Sequence, residues 1–352
     1  RMEGKKSDIP PRWNGYGYIV VTTYIDDLPA ASNSVILLDW FERELKERFK
    51  KVSVSVLRWF LGMRCVIEPG RVSVDQGQYT ACLIKKFESY LRTYCATSNG
   101  NIRWAKTPAD PDVVLSKTQS PQTPGEAAAV ADLPYRELVG GLLYLANNTR
   151  VDIQVRTSEC ARFMSNYGMA HWLAALRILC YLGVFPDRPV VWNDQGPENN
   201  LRVIYETDAS FGNCPDTGRS RYGILGFLSG AFIDSKTGIL KNVRTNIMDA
   251  ETGALAQCTL RVLTTRRYMA DLGFPQTKPT PIAEDNNAAL IFSKSPVATR
   301  RSRHIHVDHH LTRENQMEFR TIAVYKEDDA NLRADIQTKN LGRVLLNKHS
   351  ER

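Results

Sequence analysis

Residues 201–243 read LRVIYETDASFGNCPDTGRSRYGILGFLSGAFIDSKTGILKNV. β-branched, aromatic and aliphatic residues dominate Leu201–Thr207, Tyr222–Leu228 and roughly Ala231–Val243, and turn signals stand at Asp216-Thr217-Gly218 and Ser229-Gly230. Apolar runs punctuated in this way are strands, so the spacing predicts a three-stranded meander. Downstream, the pattern predicts a helix over Ala250–Leu272 with Asp249 as N-cap, a strand over Thr280–Ala283, a helix, a strand over Thr321–Tyr325 and a last helix near Ala330–Lys339. The order βββα, βα, βα makes this an α/β chain of mixed α+β character.

Upstream of the meander, Asp187–Asn200 holds two prolines and a Gly-Pro and reads as a boundary. Before it, Tyr135–Ala146, Ile153–Met164 and Ala170–Leu182 are apolar-rich helical segments. Asn99–Pro134, with prolines at 108, 111, 121, 124 and 134, reads as a long connector. Residues 16–28, YGYIVVTTYIDDL, place a β-branched run before two aspartates, the pattern of a strand feeding a tight hairpin. An amphipathic helix over Ser34–Phe49, with Val35, Leu38, Phe41, Leu45 and Phe49 at helical spacing, covers that strand. Trp59–Glu68 is a further short apolar segment, and Gln76–Thr93 a further helix. Three regions result: 1–98, 99–195 and 196–352.

Hydrophobic residues make up 43% of the 352 and charged residues 24%, globular proportions that exclude a wholly disordered, collagenous or coiled-coil chain. No apolar run reaches the length of a membrane span, and Arg-Met-Glu-Gly-Lys-Lys leads into no signal-peptide core, so the chain reads as soluble and intracellular. The seven cysteines include no CxxC pair, which signals neither a disulfide framework nor a zinc site. A net charge of +8 favours polyanionic partners, nucleic acid first among them.

Four acidic residues stand at the ends of predicted elements: Asp208, Glu251, Asp285 and Asp335. Singly, each is an ordinary surface charge or cap. Gathered at one sheet they would repel unless cations neutralise them, and Mg²⁺ is the natural hard cation for an all-carboxylate site. The segments that carry these residues, TDASFGNCPDTGRSRYGILGFLSG, DAETGAL, DLGFPQTKPTPIAEDNNAALIFSKSP, RRSRHIHVDHHLTRE and NLRADIQTK, resemble in that order the ribonuclease H domain of copia-like retrotransposon Pol polyproteins. YIDD, RWFLGM, QGQYTACLIKKF, PYRELVGGLLYLANNTRVDI and AHWLAALRILCYL are similar to the reverse transcriptase of the same polyproteins.

The resemblance implies a truncated palm (1–98), a connector with thumb and connection helices (99–195) and a ribonuclease H-like five-stranded mixed sheet with helices (196–352). It implies that Asp208, Glu251, Asp285 and Asp335 hold two Mg²⁺ or Mn²⁺ ions that hydrolyse the RNA strand of RNA–DNA hybrids. It puts the polymerase turn on Tyr24, Ile25, Asp26 and Asp27, with Asp26 and Asp27 in catalytic positions and Asp26 a metal ligand, and the primer-gripping segment on Phe60, Leu61 and Gly62. The third polymerase carboxylate of this family lies upstream of YxDD in a strand this sequence does not contain, so polymerisation is not expected of the chain by itself. The implied partners are RNA–DNA hybrid, primer–template and the rest of the Pol polyprotein, and the implied location a cytoplasmic virus-like particle or the nucleus.

Arg300, Arg301, Arg303 and His304 open a basic stretch with histidines spaced HxHxxHH. It reads either as a loop facing phosphates or as a solvated charge run, with zinc disfavoured for want of cysteine partners. Four positions depart from the family pattern: Pro29, expected to weaken the hairpin after YIDD, Val151, Asp234 and Gly253. These departures leave open a second reading, a transposon-derived remnant that binds nucleic acid and catalyses nothing. A third reading, an interaction protein built on the palm, predicts an exposed apolar patch.

Overall fold

The computed structural model describes residues 17–194, 201–295 and 306–350. Its first hairpin pairs β1 (Ile19–Val21) antiparallel with β2 (Ala30–Ser32). Tyr24 and Asp27 exchange two backbone hydrogen bonds of 2.9 Å at its tip. Ile25 takes a left-handed conformation (φ 53°), at a cost of roughly 1–2 kcal/mol for a non-glycine residue. Pro29 does not break this hairpin: only its carbonyl is needed, and it accepts from the Thr22 N–H at 2.9 Å. The pair stands alone as a two-stranded sheet, flanked by α1 (Val35–Arg48). Of the expected stripe, Val35 and Phe49 are exposed, and Leu37 is the buried residue of α1.

β3 (Trp59–Phe60), β4 (Met63–Glu68) and β5 (Arg71–Asp75) follow. The helix expected over 76–93 divides at Phe87 into α2 (Gly77–Lys86) and α3 (Glu88–Tyr94). The connector 99–134 contains a helix the sequence reading lacked, α4 (Pro124–Ala131), whose Thr123 hydroxyl accepts from the Glu126 N–H. α5 (Tyr135–Ala146), α6 (Gln154–Ala161) and α7 (Met169–Val184) are the three expected helices. Their apolar faces close on Trp172, which is fully buried and edge-on to Tyr90 at 5.3 Å. β6 (Val190–Asn193) lies inside the expected boundary and pairs antiparallel with β5, completing a four-stranded sheet of order β3-β4-β5-β6.

The C-terminal half is built on β7 (Val203–Ser210), β8 (Arg221–Leu228) and β9 (Ala231–Ile239), the expected antiparallel meander. α8 (Ile247–Asp271) crosses it. Its N-cap is Asn246, not Asp249: the Asn246 side chain accepts from the Asp249 N–H, freeing the Asp249 carboxylate for Arg244. β10 (Thr280–Glu284), α9 (Asn287–Lys294), α10 (His306–Arg313), β11 (Ile322–Lys326) and α11 (Arg343–Ser350) complete the chain. β10 runs parallel to both β7 and β11, so the five-stranded sheet is mixed, with order β11-β10-β7-β8-β9. The fold is therefore the ribonuclease H-like α/β sheet expected: a meander whose first strand becomes central when two crossover strands are added beside it.

The last helix expected over 330–339 is instead a pair of 3₁₀ turns, Asp329–Asn331 and Arg333–Gln337. The second turn lies on the sheet because β8 has a glycine there. A Cβ on Gly223, the partner of Asp208 in the β7–β8 register, would sit 2.6 Å from Gln337 Cβ and 3.0 Å from the Ala334 carbonyl. The helical layer is tied to the same place. Gln337 donates to the Val151 carbonyl at 3.2 Å, and the buried Arg221 donates to Thr237, which in turn donates to the Gln337 carbonyl at 2.6 Å.

Candidate active site

β7 is buried on both faces, so its polar residues need partners. Glu206 finds Arg333, whose backbone N–H and guanidinium both donate to it, and whose guanidinium lies 3.5 Å from the centre of the Phe227 ring. Asp208, two residues on and 2% exposed, accepts from the Thr338 hydroxyl. Glu251 enters from the second turn of α8 and Asp285 from just beyond the end of β10. One carboxylate oxygen from each of Asp208, Glu251 and Asp285 lies within 4.8 Å of the others. Asp335 reaches this group through Lys339, whose Nζ is 2.6 Å from Asp335 Oδ1 and 3.8 Å from Asp208 Oδ2.

The electrostatics follow from burial. Desolvation pushes the Asp208 carboxyl up to about 7, overriding the opposing pull of Lys339. Burial, reinforced by Glu284, Asp208 and Asp285, pushes Glu251 up to about 11. Asp285 is raised as well, mainly by burial. Sequence reasoning missed Glu284, which is fully buried beside this group and held well above the usual carboxylate range by desolvation. Its signal was an acidic residue inside an otherwise apolar strand, TPIAE. Glu251 Oε2 and Glu284 Oε2 are buried and accept no hydrogen bond among the described residues. Such orphaned oxygens are costly, and an all-oxygen donor set of this kind suits a hard divalent cation.

The other expected residues lie elsewhere. Asp26 and Asp27 sit exposed on the β1–β2 turn. The Tyr24 ring meets Phe60 edge-on at 6.4 Å, which brings that turn to the β3–β4 hairpin. In the hairpin, the Leu61 carbonyl accepts from Tyr144 OH at 2.6 Å, and a Cβ on Gly62 would stand 2.9 Å from the Tyr144 hydroxyl. Arg300, Arg301, Arg303 and His304 lie outside the described residues. His309 is buried and stacked on Phe292 at 4.1 Å, with Nε2 at the Phe292 carbonyl, a structural role.

Two departures from the family pattern have local partners. Asp234 pairs with Arg261 and accepts from Tyr205 OH at 2.9 Å. Gly253 leaves room for Arg244, which bridges Asp249 and Asp308. Within 1–98, Val35, Ile36, Val54, Val56 and Trp59 are exposed.

A Pol polyprotein from transposon TNT 1-94 of Nicotiana tabacum is 26% identical over 330 residues, which is 93% of this chain and 24% of that protein. That from transposon RE2 of Arabidopsis thaliana is 26% identical over 338 residues, 96% of this chain and 22% of that protein. Along nearly its whole length the chain is similar to these retrotransposon Pol polyproteins. It spans about a quarter of the length of these relatives. No protein-family model matches. Among solved structures, the ribonuclease H1 of Halobacterium salinarum is 16% identical, covers 40% of this chain and 95% of its own, and has a TM-score of 0.29. Among the described residues no helix is long and apolar enough to cross a membrane.

Proposed function

We propose that this Pol-related chain is a ribonuclease H that hydrolyses the RNA strand of RNA–DNA hybrids, joined at 1–98 and 99–195 to palm and thumb-connection segments of a reverse transcriptase, with the nuclease at 196–352. The observation that carries the reading is the approach of Asp208, Glu251 and Asp285 to within 4.8 Å at the ends of separate elements of a ribonuclease H-like sheet. With Asp335, these residues would hold two Mg²⁺ or Mn²⁺ ions. Bound there, the ions would supply an activated water and neutralise charge at the leaving oxygen.

The chain's own groups prepare the site. Burial removes competing water from Asp208 and Glu251, which strengthens their attraction for a cation. Thr338 fixes one Asp208 oxygen by donating to it, and Gly223 sets the depth of the turn that presents Asp335. Choice of RNA over DNA would rest on 2′-hydroxyls and groove shape, which makes cleavage largely independent of base sequence.

Gly223→Val tests the positioning. The added side chain must push the 334–338 turn off the sheet, moving Asp335 and Lys339 by a fraction of an ångström or more. A misplacement of about 1 Å costs on the order of 10²-fold, so hybrid cleavage should fall at least about tenfold while circular dichroism stays that of the parent. Parent-level activity would separate the turn from the chemistry.

The basic stretch is tested by salt. Replacing Arg300, Arg301 and Arg303 with Ala should reduce the slope of log affinity for a hybrid against log salt by up to about three if each contacts one phosphate. An unchanged slope would assign the three to the solvated surface.

A further inference from the structure

Among the described residues Lys339 is the one cation that makes an ion pair with Asp208, and it does so across Asp335: its ammonium is 2.6 Å from Asp335 Oδ1 and 3.8 Å from Asp208 Oδ2. Its side chain is 42% exposed, so rotation about its four-carbon stem leads directly to solvent. The carboxylates around it are not served by hydrogen bonds alone, since Glu251 is 3% exposed and its Oε2 accepts no hydrogen bond among the described residues. Several like charges at this spacing repel, and a nearby positive charge or bound protons must offset them. An ordinary exposed i,i+4 pair would contribute little and engage one carboxylate. Here the backbone makes the bridging geometry: the Lys339 N–H donates to the Asp335 carbonyl at 3.0 Å, closing the turn so that both side chains leave it on the side of Asp208.

We infer that Lys339 is the built-in counter-cation of the carboxylate site, holding Asp335 and Asp208 when no divalent ion is bound and releasing them to solvent-facing rotation when one is, an inference that rests on the metal-site reading above. The reason is competition. A divalent ion and an ammonium both seek the same carboxylate lone pairs, and like charges at contact distance repel. Binding of one therefore weakens binding of the other, the reciprocal relation that any coupled pair of ligands obeys. The freed ammonium would stand at the mouth of the site, where a phosphate of the substrate strand provides its next partner.

The test uses the full chain and amine acetylation read by mass spectrometry, run alongside thermal melting over a Mg²⁺ titration. Acetylation of Lys339 should quicken at least about threefold at saturating Mg²⁺, with the same midpoint as the rise in melting temperature. The exposed Lys46, paired with Glu42 on α1, should not respond. In Asp208→Asn neither change should occur. Lys339→Met should keep the melting response and move its midpoint to roughly fivefold lower Mg²⁺, and Lys339→Arg should leave the midpoint near that of the parent. If Mg²⁺ raises the melting temperature while Lys339 labelling stays constant or slows, the counter-cation inference is overturned and the metal site stands. If Mg²⁺ changes neither quantity, the metal-site reading falls and this inference with it.

Discussion

Replacing Asp208 with Asn is expected to lower the rate of hybrid cleavage at least about 100-fold. The substitution keeps shape and volume and removes one charge from the centre of the group, where Asp208 is 2% exposed and shares its neighbourhood with Glu251 and Asp285. Steady-state cleavage of a labelled hybrid by parent and variant, purified identically, reads the effect. Equal rates would trace the activity to a contaminating nuclease. Glu251→Gln should behave alike, whereas Asp26→Asn, on a separate exposed turn, should leave hybrid cleavage unchanged.

The same substitution should stabilise the metal-free chain, with a pH dependence whose sign follows from burial. The ordinary values of Asp208 and Glu251 are 3.8 and 4.5, and the folded chain raises them to about 7 and about 11. Between the unfolded and folded values the native state holds more protons than the unfolded state, so stability falls as pH rises. For Asp208 the loss begins near pH 4 and is complete above pH 7; for Glu251 it continues through the alkaline range. The melting temperature of the metal-free chain should therefore decline from pH 5 to pH 8. Mg²⁺ should restore it, more at pH 8 than at pH 5, by about 2.7 kcal/mol at a hundred times its dissociation constant. Asp208→Asn should flatten the decline and abolish the restoration. A melting temperature that climbs steadily from pH 5 to pH 8 without metal would contradict the burial of these carboxylates.

Much of the C-terminal sheet was legible because its signals are local. Strand periodicity and the Asp216-Thr217-Gly218 and Ser229-Gly230 turns mark the meander, and Asp208 is read directly at the end of its first strand. The misses have physical causes. Thr123-Pro124 followed by Glu126 and an alanine-rich run is an N-cap, an N1 proline and a good helix former, yet the surrounding prolines of 99–134 hid α4. β6 exists only because β5, more than a hundred residues earlier, offers it an edge, and no local pattern reports that. Asp335 was placed in a helix because its neighbours are helix formers. Packing against Gly223 forces a tighter turn, and that turn is what brings Lys339 to Asp208. Glu284 escaped notice because a lone acid in an apolar strand becomes informative only when its neighbours are known.

Ribonuclease H activity is tested most directly by cleavage of an RNA–DNA hybrid with each strand labelled in turn, by the full purified chain in Mg²⁺. Cuts are expected in the RNA strand alone, spread without regard to base sequence, stopped by a chelator, with duplex DNA left intact. A folded chain that binds the hybrid and Mg²⁺ but cuts neither strand, in Mg²⁺ or in Mn²⁺, would contradict the ribonuclease H reading and leave a nucleic-acid-binding remnant in its place.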